Sequence, residues 1–521
     1  MASSIPSGVP WADRVSVTAM DMGIRPYLIP LFVCVLACYY LFGTKSSEFE
    51  LINPRKPFQF TDVEAKKHFQ THAKRLIHKA LDAAHGKPYR AITEIGETIV
   101  LPNKYAQEVR NIPELSFDSA IRHEFHTHLS TFETFRAGTN GQQLVRFVAQ
   151  RQLTQKLGHV TQPLSDECTA TLQDLLGDSK EWHEIQLKDT MLMLVARISS
   201  RVFLGEELCR NPEWLKITID HTVSLFTSAR QLRVYPYLLR PIAQMFLPLA
   251  RDTRQQVRDA RRVIQPVLDK RRATKAAMIA EGKDPKELND AMEWFEQTAK
   301  GQPYDPALMQ LNLSTAAIHT TTDLIMKVLA DIIAHPDIIE PLRKEMAEVI
   351  GRDGWKKTSL YNLKLLDSVV KETQRVKPVA IASIRRYIEK DTKLSDGTVL
   401  PKGNFIIVSA EKMWDPEVYS DPQEWDPYRF LKIRQDPGNE SWAQLASTSP
   451  EHMGFGHGQH ACPGRFFAAN EVKVALVHLL MKYDFKFSEA GEPKVFPYGW
   501  SIVADPRARL MVKRRQEEIE L

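Results

Sequence analysis

Cysteine is scarce in this sequence: 521 residues hold five, Cys34, Cys38, Cys168, Cys209 and Cys462. Their number is odd, none pairs in a CxxC, and the spacings are too wide for a disulfide framework, so they read as reduced thiols on the cytosolic side. Sequons at Asn312 and Asn439 then go unused. Charge of one sign is also missing. A formal charge of +5 is small for this length, and no Lys/Arg-rich run alternates with aromatics, which argues against a nucleic-acid partner. No internal repeat, low-complexity tract or Gly/Ser linker interrupts the chain after residue 58, so one large domain is expected over 58–521. Long hydrophobic runs are confined to one place, and a mean hydropathy of -0.31 excludes a polytopic membrane protein. What is present is 43% hydrophobic and 26% charged residues, enough to bury a large core.

The one long apolar run covers residues 24–42, with Arg25 its single charge. The uncharged part, 26–42, is at the short end of what spans a bilayer. No basic stretch opens the chain and no A-x-A-like site precedes Lys45, so the run reads as a retained transmembrane helix rather than a cleaved signal. Lys45, Arg55 and Lys56 after it, against Arg14 and Arg25 before it, put the bulk of the chain on the cytosolic face. Tyr39 and Tyr40 suit the membrane interface. The expected order is a tail at 1–23, an anchor at 24–44, a stiff Pro-containing joint at 45–57, and the large domain. The prolines Pro54 and Pro57 stiffen the joint.

Apolar residues at three- and four-residue spacing predict helices over 142–157, 187–203, 253–280, 307–334 and 337–350. Strand-like pieces are short, at 98–101, 384–388, 405–408 and 508–512. The class is mainly α with small β-sheets. Asp396-Gly397 marks a hairpin, and His335-Pro336-Asp337 stops one helix and caps the next. The proline-rich stretch 415–430 has no period and is expected to be an ordered meander.

Cys462 lies in Phe455-Gly-His-Gly-Gln-His-Ala-Cys-Pro-Gly464, followed at once by a strongly helical run. A thiol at a helix start is favoured as thiolate by the backbone N–H groups and the helix dipole, and Pro463 loses nothing by lacking an N–H there. The glycines permit a tight turn and close approach of a flat ligand. A lone cysteine in such a loop is otherwise a small buried hydrophobe. This stretch resembles the haem-binding signature of the cytochrome P450 family, F-G-x-G-x-R-x-C-x-G, matching at Phe455, Gly456, Gly458, Cys462 and Gly464. His460 replaces the usual arginine, so its contact with a haem propionate rests on a weaker, pH-dependent charge.

Three further motifs stand in the family's order. Glu372-Thr-Gln-Arg375 places two charges on one helix face, and Asp426-Pro-Tyr-Arg429-Phe430 follows. They resemble the family's E-x-x-R helix and P-x-R-F meander, which implies that Glu372, Arg375 and Arg429 form a buried set supporting the haem loop. Ala316-Ala-Ile-His-Thr-Thr-Thr-Asp323 is a polar cluster inside an apolar helix. Its threonines either bond back to carbonyls one turn earlier or, as the resemblance implies, form the oxygen-activation groove with Thr320 as the key hydroxyl. Ala317 and His319 depart from the usual glycine and acid, and His319 either points away and packs or, oriented by Asp323, is the candidate proton relay. The variant resembles fungal secondary-metabolism members related to ent-kaurene oxidases. Arg151, four residues after Phe147, is either an exposed helix arginine or, by resemblance to the family's W-x-x-x-R, a propionate contact with Phe in place of Trp, and Arg386 is preferred to Arg385 as a second one by strand register.

The resemblance implies a haem between the long central helix and the cysteine-loop helix, with iron on Cys462. It also implies a monooxygenase acting on a hydrophobic small molecule, a terpenoid or meroterpenoid for choice. NADPH electrons would come through a membrane-bound NADPH-cytochrome P450 reductase, with cytochrome b5 as a second donor, at the cytosolic face of the endoplasmic reticulum. Arg465 and Lys473 would offer the reductase positive charge. The same fold hosts isomerases and dehydratases that need no external electrons, and a haem sensor or carrier is a third class. Pocket candidates are 125–135, 225–237, 379–383 and 498–502, whose apolar and aromatic content suits a hydrophobic ligand.

Overall fold

The computed structural model describes residues 29–35, 48–57, 59, 61–139, 144–285 and 287–521. Two compact units result, Met1–Glu50 and Leu51–Leu521. In the first, residues 29–35 are helical and their large side chains exposed. Among the described residues no helix is long and apolar enough to cross a membrane. The rest of the anchor expected at 24–44 lies outside the described residues, as do the tail at 1–23 and residues 45–47 of the joint.

The later part of the joint does not hang free as a spacer. Ile52 N donates to the Arg90 carbonyl at 3.0 Å, and the buried Asn53 amide bonds Ile92 on both sides, 2.7 Å from its N–H and 2.8 Å to its carbonyl. A side-chain amide used in this way mimics a neighbouring strand and pays for its own burial.

The second unit is mostly helical, with its elements close to where apolar spacing predicts them. Helices run Leu187–Phe203, Pro248–Ala280, Pro306–Ala334 and Ile339–Asp353. Around 142–157 the outcome is more broken. Leu144–Phe147 is helical, Val148–Leu153 is a π-helix, and a new helix begins at Leu157. The central helix Pro306–Ala334 is capped by Asp305, whose carboxylate accepts from Leu308 N at 3.1 Å, and Pro306 stands where a missing N–H costs nothing. It ends at His335, before Pro336. The next helix starts at Ile339 after a 3-10 turn, so Asp337 lies within that turn and is not the cap.

The largest sheet has five strands, ordered Tyr89–Thr93, Gly96–Leu101, Phe405–Ser409, Ala382–Ile388 and Leu115–Ser116. Only Gly96–Leu101 and Phe405–Ser409 pair in parallel. The Asp396-Gly397 turn joins the short strands Thr392–Lys393 and Val399–Leu400 as expected. The cysteine-loop helix Arg465–Lys482 is buried nearly all round and packs against the central helix and against Leu157–Leu176.

What fixes the irregular stretch 415–430 is a carboxylate. Glu372 and Arg375 face each other on the helix Lys364–Val376, both fully buried, with Arg375 Nε and Nη2 each 2.8 Å from Glu372 oxygens. Arg429 Nε reaches Glu372 Oε1 at 3.0 Å, and Asp426 N donates to the same oxygen at 3.1 Å. The remaining guanidinium donors go to meander carbonyls: Arg375 to Met413 and Pro422 at 2.6 and 2.7 Å, Arg429 to Ser420 at 2.6 Å. The loop ahead of Cys462 rests on this helix too, since a Cβ at Gly454 would stand 2.2 Å from Gln374 Oε1. Removing one member leaves buried charge without a partner, at a cost of about 3–5 kcal/mol. Glu372→Ala is therefore expected to yield little soluble protein. A melting temperature equal to wild type would show that the two arginines do not need it.

Candidate active site

Cys462 stands three residues before the helix Arg465–Lys482, whose N-cap is Gly464. Pro463 thus precedes the cap instead of opening the helix. Cys462 N donates to the Phe455 carbonyl at 2.8 Å, closing the loop, while the Phe455 ring packs on the main core. Gly456 and Gly458 take φ of 72° and 82°, which a side chain would strain. At Gly458 the close neighbour is Arg110, whose Cβ would be 2.5 Å from an added Cβ, so this glycine makes room for a side chain of the protein itself. Burial pushes the Cys462 thiol up, against the opposing pull of the Gly464 N–H and the Arg465 charge. The helix start alone therefore does not make it a thiolate in the free chain. A metal that binds sulfur would displace the proton.

Beside the loop is a cavity of about 240 Å³. Phe117, Ile121, Phe125, Ile384 and Ile407 give it apolar walls. Its titratable lining residues are Arg386, His457 and His460 together with the paired Glu124 and Arg385. Arg386 is 3% exposed and has no carboxylate partner among the described residues. Its Nη1 donates to the Arg385 carbonyl at 2.8 Å, and its plane lies over Phe117. Burial, then the nearby Arg146, pushes it down to about 10. His460 stacks on Phe117 at 5.0 Å and is pushed down to about 4 by burial, then by Arg386 and Arg146. Arg386, a cation with no acid of its own, and the uncharged donors His457 and His460 beside it suit an anionic ligand, and the carboxylates of a haem fit them.

Arg385 is engaged elsewhere: its Nη1 donates to both Glu124 oxygens at 2.6 and 2.7 Å. Adjacent residues of a regular strand point to opposite faces, yet both arginines line this cavity, because the strand is bulged between Ser383 and Arg386, with Ile384 at φ 51°, a conformation costly for a β-branched residue. Arg151 requires a correction. It is exposed and lies over Phe147 at 4.9 Å, and no hydrogen bond or ion pair among the described residues joins it to the cysteine loop. Arg146, which the motif spacing does not mark, instead donates to the Gln459 carbonyl at 2.6 Å. Arg110, also unmarked, bonds His457 at 3.0 Å. The glycine at 458 is the only sequence signal for Arg110, because it requires something close.

On the central helix, Ala316 and Thr320 are the only exposed residues between Pro306 and Ala334, and they stand one above the other. Thr320 Oγ1 donates to the Ala316 carbonyl at 2.8 Å, the back-bonded arrangement. His319 does not share that face. Its Nε2 donates to the Ile219 carbonyl at 3.1 Å, and burial lowers its pKa. Asp323 does not orient it, since that carboxylate accepts from Ala504 N at 2.8 Å and pairs with Lys327. The relay assigned to His319 is thereby corrected. Lys473 is corrected as well: it is buried, ion-paired with Asp367 and bonded to the Leu360 carbonyl at 2.9 Å, and is not available to a docking partner. Arg465 turns inward, donating to the carbonyls of Cys462 and Ala446 at 3.0 and 3.1 Å.

The pocket candidates pair off. Phe125 stacks on Phe135 at 4.2 Å and both meet Phe226 edge-on at 5.4 Å, which brings 125–135 against 225–237. Ile381 N donates to the Trp500 carbonyl at 2.8 Å, which brings 379–383 against 498–502.

Comparison with known proteins agrees with this arrangement. Residues 96–513 match the family described as Cytochrome P450. The chain is 48% identical over 493 residues to cytochrome P450 monooxygenase hepE of Aspergillus oryzae, covering 93% of this chain and 90% of that protein. It is 51% identical over 437 residues to cytochrome P450 monooxygenase 1 of Gibberella fujikuroi, covering 84% and 99%. Dihydro-ML-236C monooxygenase mlcC of Penicillium citrinum is 40% identical, with 95% of each chain covered. Enzymes of this family carry haem on a cysteine thiolate and take electrons from a redox partner to oxidise hydrophobic substrates. With a cysteine loop on a buried helix, a cation cluster suited to carboxylates and near full-length relatives named as monooxygenases, the chain belongs to the cytochrome P450 family and is a monooxygenase.

Proposed function

We propose that Cys462 ligates the iron of haem b and that Arg386 and His460 receive its carboxylates, with Arg146 adding charge nearby. The observation that carries this is the thiol at the helix start beside cations that have no acid of their own. Bound there, haem with a thiolate ligand supplies the activation of dioxygen and the transfer of one oxygen atom to substrate. The chain's own part is to hold Cys462 through the Phe455 carbonyl, to keep apolar walls around the substrate, and to present the Thr320 hydroxyl on the open face of the central helix. Electrons come from NADPH through NADPH-cytochrome P450 reductase, with cytochrome b5 as a second donor. An isomerase or dehydratase would need no such supply, so NADPH-dependent product with purified reductase separates the readings.

The substrate is a terpenoid or meroterpenoid in a fungal secondary pathway, a reading supported by the family resemblance and by the aromatic cluster of Phe125, Phe135 and Phe226. Deleting the gene in its host should accumulate a terpenoid one oxygen poorer than the mature product. Accumulation of another class of scaffold would refute the assignment. The protein is anchored by 24–44 in the endoplasmic reticulum, with the domain 58–521 cytosolic. Apolar side chains between 234 and 246 add to this, with Val234, Leu238 and Phe246 each more than 80% exposed. A chain starting at residue 45 should leave the microsomal pellet in part and keep its haem. A haemless aggregate would show that the removed segment belongs to the core.

Cys462→Ser should carry little or no haem and give no thiolate-type CO spectrum, since a hydroxyl is a poor ligand for this iron. A normal spectrum from that variant removes the proposal. Thr320→Ala should keep haem and substrate affinity but lower product per NADPH by about tenfold, a modest loss for a misplaced proton donor, with hydrogen peroxide making up the difference. Product, NADPH and peroxide measured together decide it: unchanged coupling excludes a role for this hydroxyl.

A further inference from the structure

From Asp323 to its C-cap the central helix is apolar except for a row at four-residue spacing, Asp323, Lys327, Asp331 and the cap His335. Lys327 and Asp331 are each 2% exposed, and charges so buried need partners. The lower pair finds them on the scaffold. Asp331 accepts from Thr373 Oγ1 at 2.7 Å and pairs with Lys377, and His335 stacks on Trp425 at 4.6 Å. Trp425 Nε1 in turn donates to Thr373 Oγ1 at 2.9 Å, so this half is tied to the Glu372 helix and its meander.

The upper pair holds something different. Lys327 lies 2.5 Å from Asp323 and donates to the Ile502 carbonyl at 2.6 Å, while Asp323 accepts from Ala504 N at 2.8 Å. Ile502 and Ala504 belong to the return limb of the C-terminal hairpin formed by Phe496–Tyr498 and Ser501–Val503. The other side of that limb is fastened to 379–381, through Ile381 N to the Trp500 carbonyl and Ile502 N to the Val379 carbonyl at 3.2 Å. Residues 379–381 run directly into Ala382, Ser383 and Ile384, which line the cavity. Asp323 is one helical turn beyond Thr320. The strand end 382–384 that lines the cavity and the Thr320 hydroxyl are therefore referenced to one helix by two side chains that do not themselves line the cavity.

We infer that Lys327 and Asp323 are positioning residues of the substrate pocket: by holding the Ile502 carbonyl and the Ala504 amide, they fix how far the wall 500–502 and 379–384 stands from the Thr320 face. This rests on the haem-thiolate reading above. Lys327→Met keeps the length of the side chain but removes the donor. The Ile502 carbonyl and the Asp323 carboxylate then lose a buried partner and the limb moves to recover one. Arginine at 327 retains a donor for Ile502 and a charge for Asp323.

The test uses the full-length haem-loaded protein and two azoles that report by a shift of the haem spectrum. Imidazole needs little of the pocket, and clotrimazole fills it. Lys327→Met should leave the thiolate-type CO spectrum and the imidazole affinity as in wild type. It should weaken clotrimazole about tenfold or more, the scale of a lost charged hydrogen bond. Lys327→Arg should recover most of that loss, which a role in filling volume alone would not produce. Unchanged clotrimazole affinity in Lys327→Met, or equal loss in the Met and Arg variants, overturns the inference. Should Lys327→Met fail to load haem, Asp323→Leu decides in its place, because it keeps Lys327 as the donor to Ile502 and removes the acceptor of the Ala504 amide: clotrimazole bound as in wild type would again overturn it. A wild-type protein without the thiolate-type CO spectrum would instead remove the proposed function and leave the Lys327 contacts unexplained.

Discussion

One buried carboxylate, that of Glu372, carries the irregular half of this structure. Two guanidinium groups and a backbone N–H converge on it, and the guanidinium donors left over hold the carbonyls of a segment without secondary structure of its own. A meander cannot satisfy its backbone internally, so it needs donors from outside. The arginines provide them, and the carboxylate makes their burial tolerable. The cysteine loop comes after one further short helix and leans on the same Glu372 helix at Gly454, so its place in the fold depends on that neutralised cluster.

The electrostatics of the candidate site run the opposite way. Around Glu372 charge is matched, whereas beside Cys462 cations gather with no acid. Burial keeps His460 neutral and Cys462 protonated in the free chain. A ligand that brought carboxylates to the first and a sulfur-seeking metal to the second would favour the opposite state of each. Discrimination then lies in the pair of demands, since a simple anion meets only the first and a bare metal only the second.

Much of this was readable in the sequence where the governing physics is local. The helix at 187–203 follows from apolar spacing alone, and the cysteine loop from a string of residues each with a stereochemical reason. What was not readable depends on tertiary direction. Helical periodicity puts His319 and Asp323 on one face but does not say which neighbours that face meets. The nearest acceptor for His319 is Ile219 on another helix, and Asp323 is taken by Ala504. Arg151 has the expected spacing from Phe147, yet a π-helical turn separates it from the regular helix, and Arg146 is the residue that reaches the loop. Lys473, on a helix buried on every side, was read as surface because lysine usually is. The interaction with Asp367 that reverses this joins residues far apart in sequence.

The strained bulge at Ile384 joins two roles within a single strand. Because the extra residue lets two adjacent arginines line one cavity, Arg386 lies over Phe117 beside His460 while Arg385 is committed to Glu124. In a regular strand the two would point to opposite faces of the sheet, and any drift in one would reset the other. Here one strand brings a committed ion pair and an arginine without an acid to the same chamber.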